Sequence, residues 1–256
     1  MDNKALIDKT DGVLKMLTNS GAADMLYNHA KHMMWSVVEY KELQMLYTCA
    51  MKEITTKLEI LDTEFKIRYK RNPISSVTSR LKRTESIMKK LANRGHPFNI
   101  ESIEKNLNDI AGVRVICTYV DDIYAIADSL LSQDDVNLIS KKDYIKNPKP
   151  NGYRSLHLIV SIPVFLSEGK KNVKVEVQIR TIAMDYWASL EHQMKYKKDI
   201  PDAEAVGSEL CLVAELMADT DKRMLELRRR IELAEDISTT EEDELLERLS
   251  RLGMPI

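Results

Sequence analysis

From Val173 to Arg180 the chain reads Val-Lys-Val-Glu-Val-Gln-Ile-Arg, a strict alternation of apolar and polar residues. Side chains along a strand point to opposite faces with a period of two. Val173, Val175, Val177 and Ile179 must therefore share a core, while Lys174, Glu176, Gln178 and Arg180 share the other face. This segment demands a sheet that is buried on one side and polar on the other. The apolar segment Leu156 to Pro163 brings His157, Ile159 and Ser161 at similar parity, and Glu168-Gly169-Lys170 reads as the hairpin turn between the two strands. A mid-strand carboxylate facing such neighbours fits a polar cleft or open surface, and the alternation alone leaves both readings standing.

The other elements follow from period and punctuation. Leu43, Leu46, Ala50, Ile54, Leu58, Leu61 and Phe65 recur every three or four positions, predicting a long amphipathic helix from about Tyr40 to Tyr69 that the run to Pro73 ends. Ser75 or Ser76 is expected to cap a second helix reaching Asn93, with Gly95 as the left-handed residue beyond it. After a short polar helix, Ala111 to Tyr119 alternates as a strand, a helix is expected from Asp121 to Ser132, and another strand at Val136 to Ser140. Helix returns beyond Thr181. Leu210, Val213, Met217, Thr220, Met224, Leu227 and Ile231 form a short heptad seam, expected to pack against the chain's own first helix. Trp35 and Trp187 read as core anchors.

Composition excludes several classes. With 38 basic and 40 acidic residues the net charge is −2, which argues against a chain built to coat nucleic acid or a membrane. Asp2 to Lys15 alternates charge with apolar residues and lacks a signal-peptide core. Leu156 to Leu166 is too short to span a bilayer. The three cysteines, Cys49, Cys117 and Cys211, have no metal-ligand spacing and read as buried thiols of a reduced, cytoplasmic enzyme. His29 and His32 lie three apart without a third ligand, which does not make a metal site.

Basic side chains gather where a phosphate could bind. On a helical wheel Lys82, Arg83, Ser86, Lys89 and Lys90 share one face, with Arg80 placed in the first turns, where the helix dipole favours an anion. Solvated surface is the ordinary fate of such a face. Asp109, just before the strand at Gly112, has room to reach a hydrated Mg²⁺, although by itself it reads more readily as a helix or turn cap. The loop Asn147 to His157 presents Tyr153 on an Asn151-Gly152 turn between Lys149 and Arg154. A lone ring among cations suits a nucleotide.

Arg80-Leu81-Lys82 with Ser86-Ile87 and Lys90, Asp-Ile-Ala-Gly-Val-Arg at 109–114, Asn-Gly-Tyr-Arg-Ser-Leu-His at 151–157 and Glu-Val-Gln-Ile-Arg-Thr at 176–181 occur in this order. Together with the stretch 183–192 they resemble the RelA/SpoT-type alarmone synthetases over roughly residues 70 to 200, and the length is similar to that of the small, stand-alone members. The resemblance implies a pyrophosphokinase that moves the β,γ-diphosphate of ATP to the 3′-hydroxyl of GDP or GTP, with Mg²⁺ as cofactor. It implies that Asp109 and Glu176 hold the metal, that Glu176 is the base, and that Tyr153 stacks on guanine. Arg80, Lys82, Ser86, Lys90 and Arg114 are then expected on ATP. Lys149, Asn151, Tyr153, Arg154, His157 and Gln178 are expected on the guanine nucleotide. These roles suit phosphoryl-type transfer, which rests on positioning and charge neutralisation.

The expected fold is α+β, a mixed twisted sheet flanked by helices, of the nucleotidyltransferase-like synthetase kind. Residues 1–69 form an N-terminal helical extension, 70–200 the catalytic domain and 201–256 a C-terminal helical segment suited to oligomerisation. The family's hydrolase carries a His-Asp motif that is absent from this sequence, so no hydrolysis of product is expected, nor is a large C-terminal regulatory region. The family likeness implies a homotetramer and leaves an allosteric alarmone open. Membrane and DNA are not expected partners, and RNA is not favoured. The rival readings are a different nucleotidyltransferase and a non-catalytic module that senses alarmone or single-stranded RNA. Retention of both carboxylates disfavours the module, because a pure anion binder gains nothing from negative charge beside phosphate.

Overall fold

The structure, a computed structural model, describes residues 21–69, 71–195 and 202–251. Expectations for residues 2–15 and for the side chains of His29, His32 and Trp35 lie outside what is described. The element order is α1 (Gly21–Tyr69), β1 (Ile74–Leu81), α2 (Thr84–Ala92), α3 (Ile100–Asn106), β2 (Ala111–Cys117), α4 (Val120–Leu131), β3 (Asn137–Asp143), β4 (Leu156–Leu166), β5 (Gly169–Thr181), α5 (Ile182–Lys195) and α6 (Ala203–Arg251).

The strands form one five-stranded sheet in the order β1-β2-β5-β4-β3. Only β2 and β5 run parallel, and every other pairing is antiparallel. A parallel neighbour requires a crossover, which here runs through α4, β3 and β4. The mixed sheet with flanking helices is the expected α+β architecture. In β5 the alternation sorts as period two demands, with Val173, Val175, Val177 and Ile179 buried and Lys174, Glu176 and Gln178 half-exposed.

The apolar face of the sheet rests on α1, whose Leu43, Leu46, Ala50, Ile54, Leu58 and Leu61 are buried in the same core as the strand valines. Ile54 and Leu58 have no exposed surface, and each contributes roughly 1.5–3 kcal/mol by burial. Lys66 and Arg68 in the last turn of α1 favour the negative end of its dipole. Helix α4 adds Ile123, Ile126 and Leu130 to the same core. Among the described residues no helix is long and apolar enough to cross a membrane.

Two expectations are corrected. Residues 75–93 are not one helix, because Ile74–Leu81 is the edge strand β1 and helix begins only at Thr84. The serines of Ile-Ser-Ser-Val-Thr-Ser imitate a helix cap, yet the β-branched residues between them fit a strand that buries little on either face and bonds to β2 alone. Gly95 does take the left-handed conformation, with φ +70°. The first part of the heptad seam, in turn, lies on α5 rather than α1, and Met224, Leu227 and Ile231 further along it are exposed. Leu210, Val213 and Met217 pack around the buried Trp187 and Ala188, and the Trp187 indole donates to the Leu210 carbonyl at 2.8 Å. A large aromatic with a satisfied polar edge is a better anchor than a bare aliphatic stripe.

Further along α6, Arg228 donates to both oxygens of Asp121 at 3.1 and 2.9 Å and reaches the buried Asp122 at 3.6 Å. Asp122 also pairs with Arg71. These contacts fasten α6 to the start of α4.

Candidate active site

Strand register assembles the polar face. Arg80 of β1 lies opposite Gly112, Gly112 opposite Glu176, Glu176 opposite Ile159, and Ile159 opposite Ser140. Two residues along, Thr78, Arg114, Gln178, His157 and Lys142 make a second row. The paired rows put polar side chains from five strands on one surface, with Glu176 as their one carboxylate. Gly112 carries no side chain between Arg80 and Glu176, which opens the floor there.

Two cavities occupy this face. One, about 440 Å³, is lined by Arg80, Lys82, Asp109, Gly112, Arg114, Glu176 and Gln178 among others. The second, about 290 Å³, is lined by Lys90, Arg94, Asp109, Lys142, Tyr144, Lys149, His157 and Glu176 among others. Asp109 and Glu176 are the residues that the two linings share.

Asp109 precedes β2, and its Oδ2 accepts from Lys82 Nζ at 2.8 Å and Lys90 Nζ at 2.6 Å. Burial alone would raise its carboxyl, but the two lysines outweigh that and hold it below the ordinary carboxylate range. Its Oδ1 is buried without a hydrogen-bond partner. Glu176 behaves likewise. Burial pushes its carboxyl up, and His157 and Gln178 bring it net down against the opposing charge of Asp109. Both carboxylates therefore stay ionised at neutral pH.

Among the described residues no group of three or more His, Cys, Asp or Glu could hold a metal. The donor set that exists is two ionised carboxylates, one with an orphaned buried oxygen. It fits Mg²⁺, which commonly takes one or two carboxylates and completes its shell with water and substrate phosphates.

The expected site residues divide into those that line a cavity and those that brace it. Arg80, Lys82 and Arg114, the residues expected on ATP, line the larger cavity, but Arg80 arrives on a strand, so the helix-dipole argument for it fails. Lys90 lines the smaller cavity rather than the larger, and Gln178 the larger rather than the smaller. Both stand at the shared wall. Ser86 is exposed on α2 and lines neither.

Lys149 and His157 line the smaller cavity, whereas Asn151, Tyr153 and Arg154 do not. Asn151 donates to Glu191 at 2.8 Å, and Arg154 donates to the carbonyls of Gly152 and Ala214 at 3.2 and 3.1 Å. These two side chains shape the loop. Gly152 has φ +86°, and a Cβ there would lie 2.6 Å from the Ala214 Cβ of α6. The turn is therefore pressed against the C-terminal helix. Tyr153 sits just behind the cavity wall, with Lys149 Nζ 4.7 Å from its ring centre and His157 edge-on at 5.8 Å.

Three participants escaped the sequence reading. Tyr144 lines the smaller cavity, with Lys149 Nζ 4.7 Å above its ring. Asp185 of α5 binds Arg114 at 3.3 Å and Arg180 at 3.1 Å. Arg180 is itself buried and donates to Gln178 of the larger cavity's lining. Its parity with Glu176 was available as a signal, while nothing local marks Tyr144.

A sheet face that is cationic except for two ionised carboxylates at its centre belongs to a phosphate-handling transferase. Residues 79–201 match the model described as the region found in RelA / SpoT proteins. The chain is 38% identical over 209 residues to GTP pyrophosphokinase YwaC of Bacillus subtilis (strain 168), spanning 82% of this chain and 100% of that one. The crystal structure of small alarmone synthetase 2 from Bacillus subtilis superimposes with TM-score 0.68 and 41% identity, covering 75% of this chain and 99% of that one. Small alarmone synthetase 1 from the same organism, bound to its product pppGpp, does so with TM-score 0.69 and 35% identity, covering 75% and 98%. The chain belongs to the RelA/SpoT alarmone synthetase family.

Proposed function

We propose that the chain is a GTP pyrophosphokinase that transfers the β,γ-diphosphate of ATP to the 3′-hydroxyl of GDP or GTP, yielding AMP and ppGpp or pppGpp for the stringent response. The observation that carries this reading is the pair of cavities that meet at Asp109 and Glu176. A transfer between two nucleotides needs two compartments with the reacting groups at their common wall, and phosphoryl-type transfer asks the protein mainly for positioning and charge.

ATP belongs in the larger cavity, where Arg80, Lys82 and Arg114 face its phosphates. The guanine nucleotide belongs in the smaller one, with Lys149 toward its phosphates, His157 on the wall beside Glu176, and Tyr153 and Tyr144 toward the base. Glu176 accepts the proton of the 3′-hydroxyl as that oxygen attacks the β-phosphorus of ATP. Asp109, through Oδ1, and Glu176 would hold Mg²⁺, which when bound neutralises charge on the transferred diphosphate. Lys82 and Lys90, now on Asp109, are placed to turn toward phosphate. The assignments of Asn151 and Arg154 are read as loop support, and Ser86 has no contact that supports a role.

Residues 70–200 would form the catalytic domain in this reading, with 1–69 and 201–256 as the helical segments before and after it. Self-association is supported by apolar side chains left open on both long helices, Ile60 and Ile67 on α1 and Leu216, Leu227 and Ile231 on α6. A homotetramer is the expected assembly, checked by light scattering on the purified protein. The cytoplasm, which holds both substrates, is the expected compartment.

The deciding experiment incubates purified protein with γ-labelled ATP, Mg²⁺ and either GDP or GTP and separates the products by chromatography. Label must appear in ppGpp or pppGpp with AMP released. Equal transfer to adenine or pyrimidine acceptors would instead favour another nucleotidyltransferase.

A further inference from the structure

Arg180 is 5% exposed, and no step described above uses it. A buried guanidinium stays only where its donors are taken. Its Nη1 binds Asp185, while Nη2 donates in two directions, to the Tyr153 hydroxyl at 2.5 Å and to Gln178 Oε1 at 3.0 Å. Each direction ends at Glu176. The Tyr153 hydroxyl lies 2.8 Å from His157 Nε2, and His157 Nδ1 lies 3.4 Å from Glu176 Oε1. Gln178 Nε2 donates to Glu176 Oε2 at 2.9 Å.

The donors settle the orientation of each group. A guanidinium can only donate, so the Tyr153 oxygen accepts from Arg180, and its own O–H is left to donate a hydrogen bond to His157 Nε2. An imidazole with one hydrogen then carries it on Nδ1, facing the carboxylate 3.4 Å away, where a bare nitrogen would set lone pair against lone pair. In the same way Arg180 fixes the Gln178 amide with its oxygen inward and its NH₂ on Glu176.

We propose that Arg180 is a positioning residue for the reaction, acting through Tyr153–His157 on one oxygen of Glu176 and through Gln178 on the other. The tyrosine hydroxyl then has a role separate from its ring: the ring meets guanine and the hydroxyl orients the base. This rests on the pyrophosphokinase reading and on the place of Glu176 in it.

The test separates ring from hydroxyl. Tyr153→Phe keeps the stacking surface and cuts one arm, so KM for GDP stays near the wild-type value while kcat falls by roughly tenfold, the scale of one lost hydrogen bond. A variant with wild-type kcat, or one whose loss lies wholly in KM for GDP, overturns the inference. Independently, long-range ¹H–¹⁵N spectra of the whole wild-type protein labelled at histidine nitrogens, with His157 assigned from a His157→Gln sample, must show hydrogen on Nδ1. Hydrogen on Nε2 overturns it as well, and this measurement stands even if Tyr153→Phe fails to fold. A wild-type protein that makes no guanosine product sinks the function reading. A working wild type with an indifferent Tyr153→Phe sinks only the positioning chain.

Discussion

Replacing Gly152 by alanine tests whether the Asn151-Gly152 turn is built against the C-terminal helix. The backbone there has φ +86°, and the new methyl group would lie 2.6 Å from the Ala214 Cβ. The left-handed conformation costs an L-residue about 1–2 kcal/mol. Overpacking against a helix costs about 1–3 kcal/mol more. Gly152→Ala should therefore lose roughly 2–5 kcal/mol and lower Tm by roughly 5–15 °C in a chain of this size. The two costs separate in a double-mutant cycle. Ala214→Gly alone costs about 1 kcal/mol of helix propensity, but combined with Gly152→Ala it removes the clash and should recover about 1–3 kcal/mol of coupling. Thermal and chemical denaturation of the four proteins measure this. Strict additivity would show that the turn and α6 do not press on one another, and the reasoning would fail.

Glu176→Gln should retain its melting temperature within a few degrees yet lose turnover by about a hundredfold or more, as removal of a positioned base does. Wild-type-like kcat would refute that role. Tyr153→Ala should weaken guanine-nucleotide binding by roughly five- to 150-fold, the worth of one base stack, while ATP affinity measured by calorimetry holds. Asp109 and Glu176 have folded pKa values depressed below 3.8 and 4.5. Their stabilisation is thus complete above those ordinary values and lost as pH falls through the depressed ones. Between pH 5 and 8 the melting temperature should not respond to these two groups, and an acid loss traced to either one that begins near pH 6 would contradict their surroundings.

Period and punctuation carried much of the fold. The alternation in Val173–Ile179 placed β5 and its polar face correctly, because that strand is buried on one side only and so must alternate. β1 escaped because an edge strand with hydroxylated residues on both faces has no alternation to display, and its serines look like a cap. The site was legible where chemistry is unusual for its setting, as with a carboxylate at mid-strand. It was illegible where a contact joins distant segments. Ala214 against Gly152 and Glu191 on Asn151 have no local trace, since each depends on how α6 and α5 come back to the β3–β4 loop.

Because one wall divides the compartments, a synthetic molecule broad enough to straddle it would meet both chambers at once. On the proposed roles of Asp109 and Glu176, resistance could not easily arise at that wall, for any exchange there that repelled the compound would also disable the enzyme.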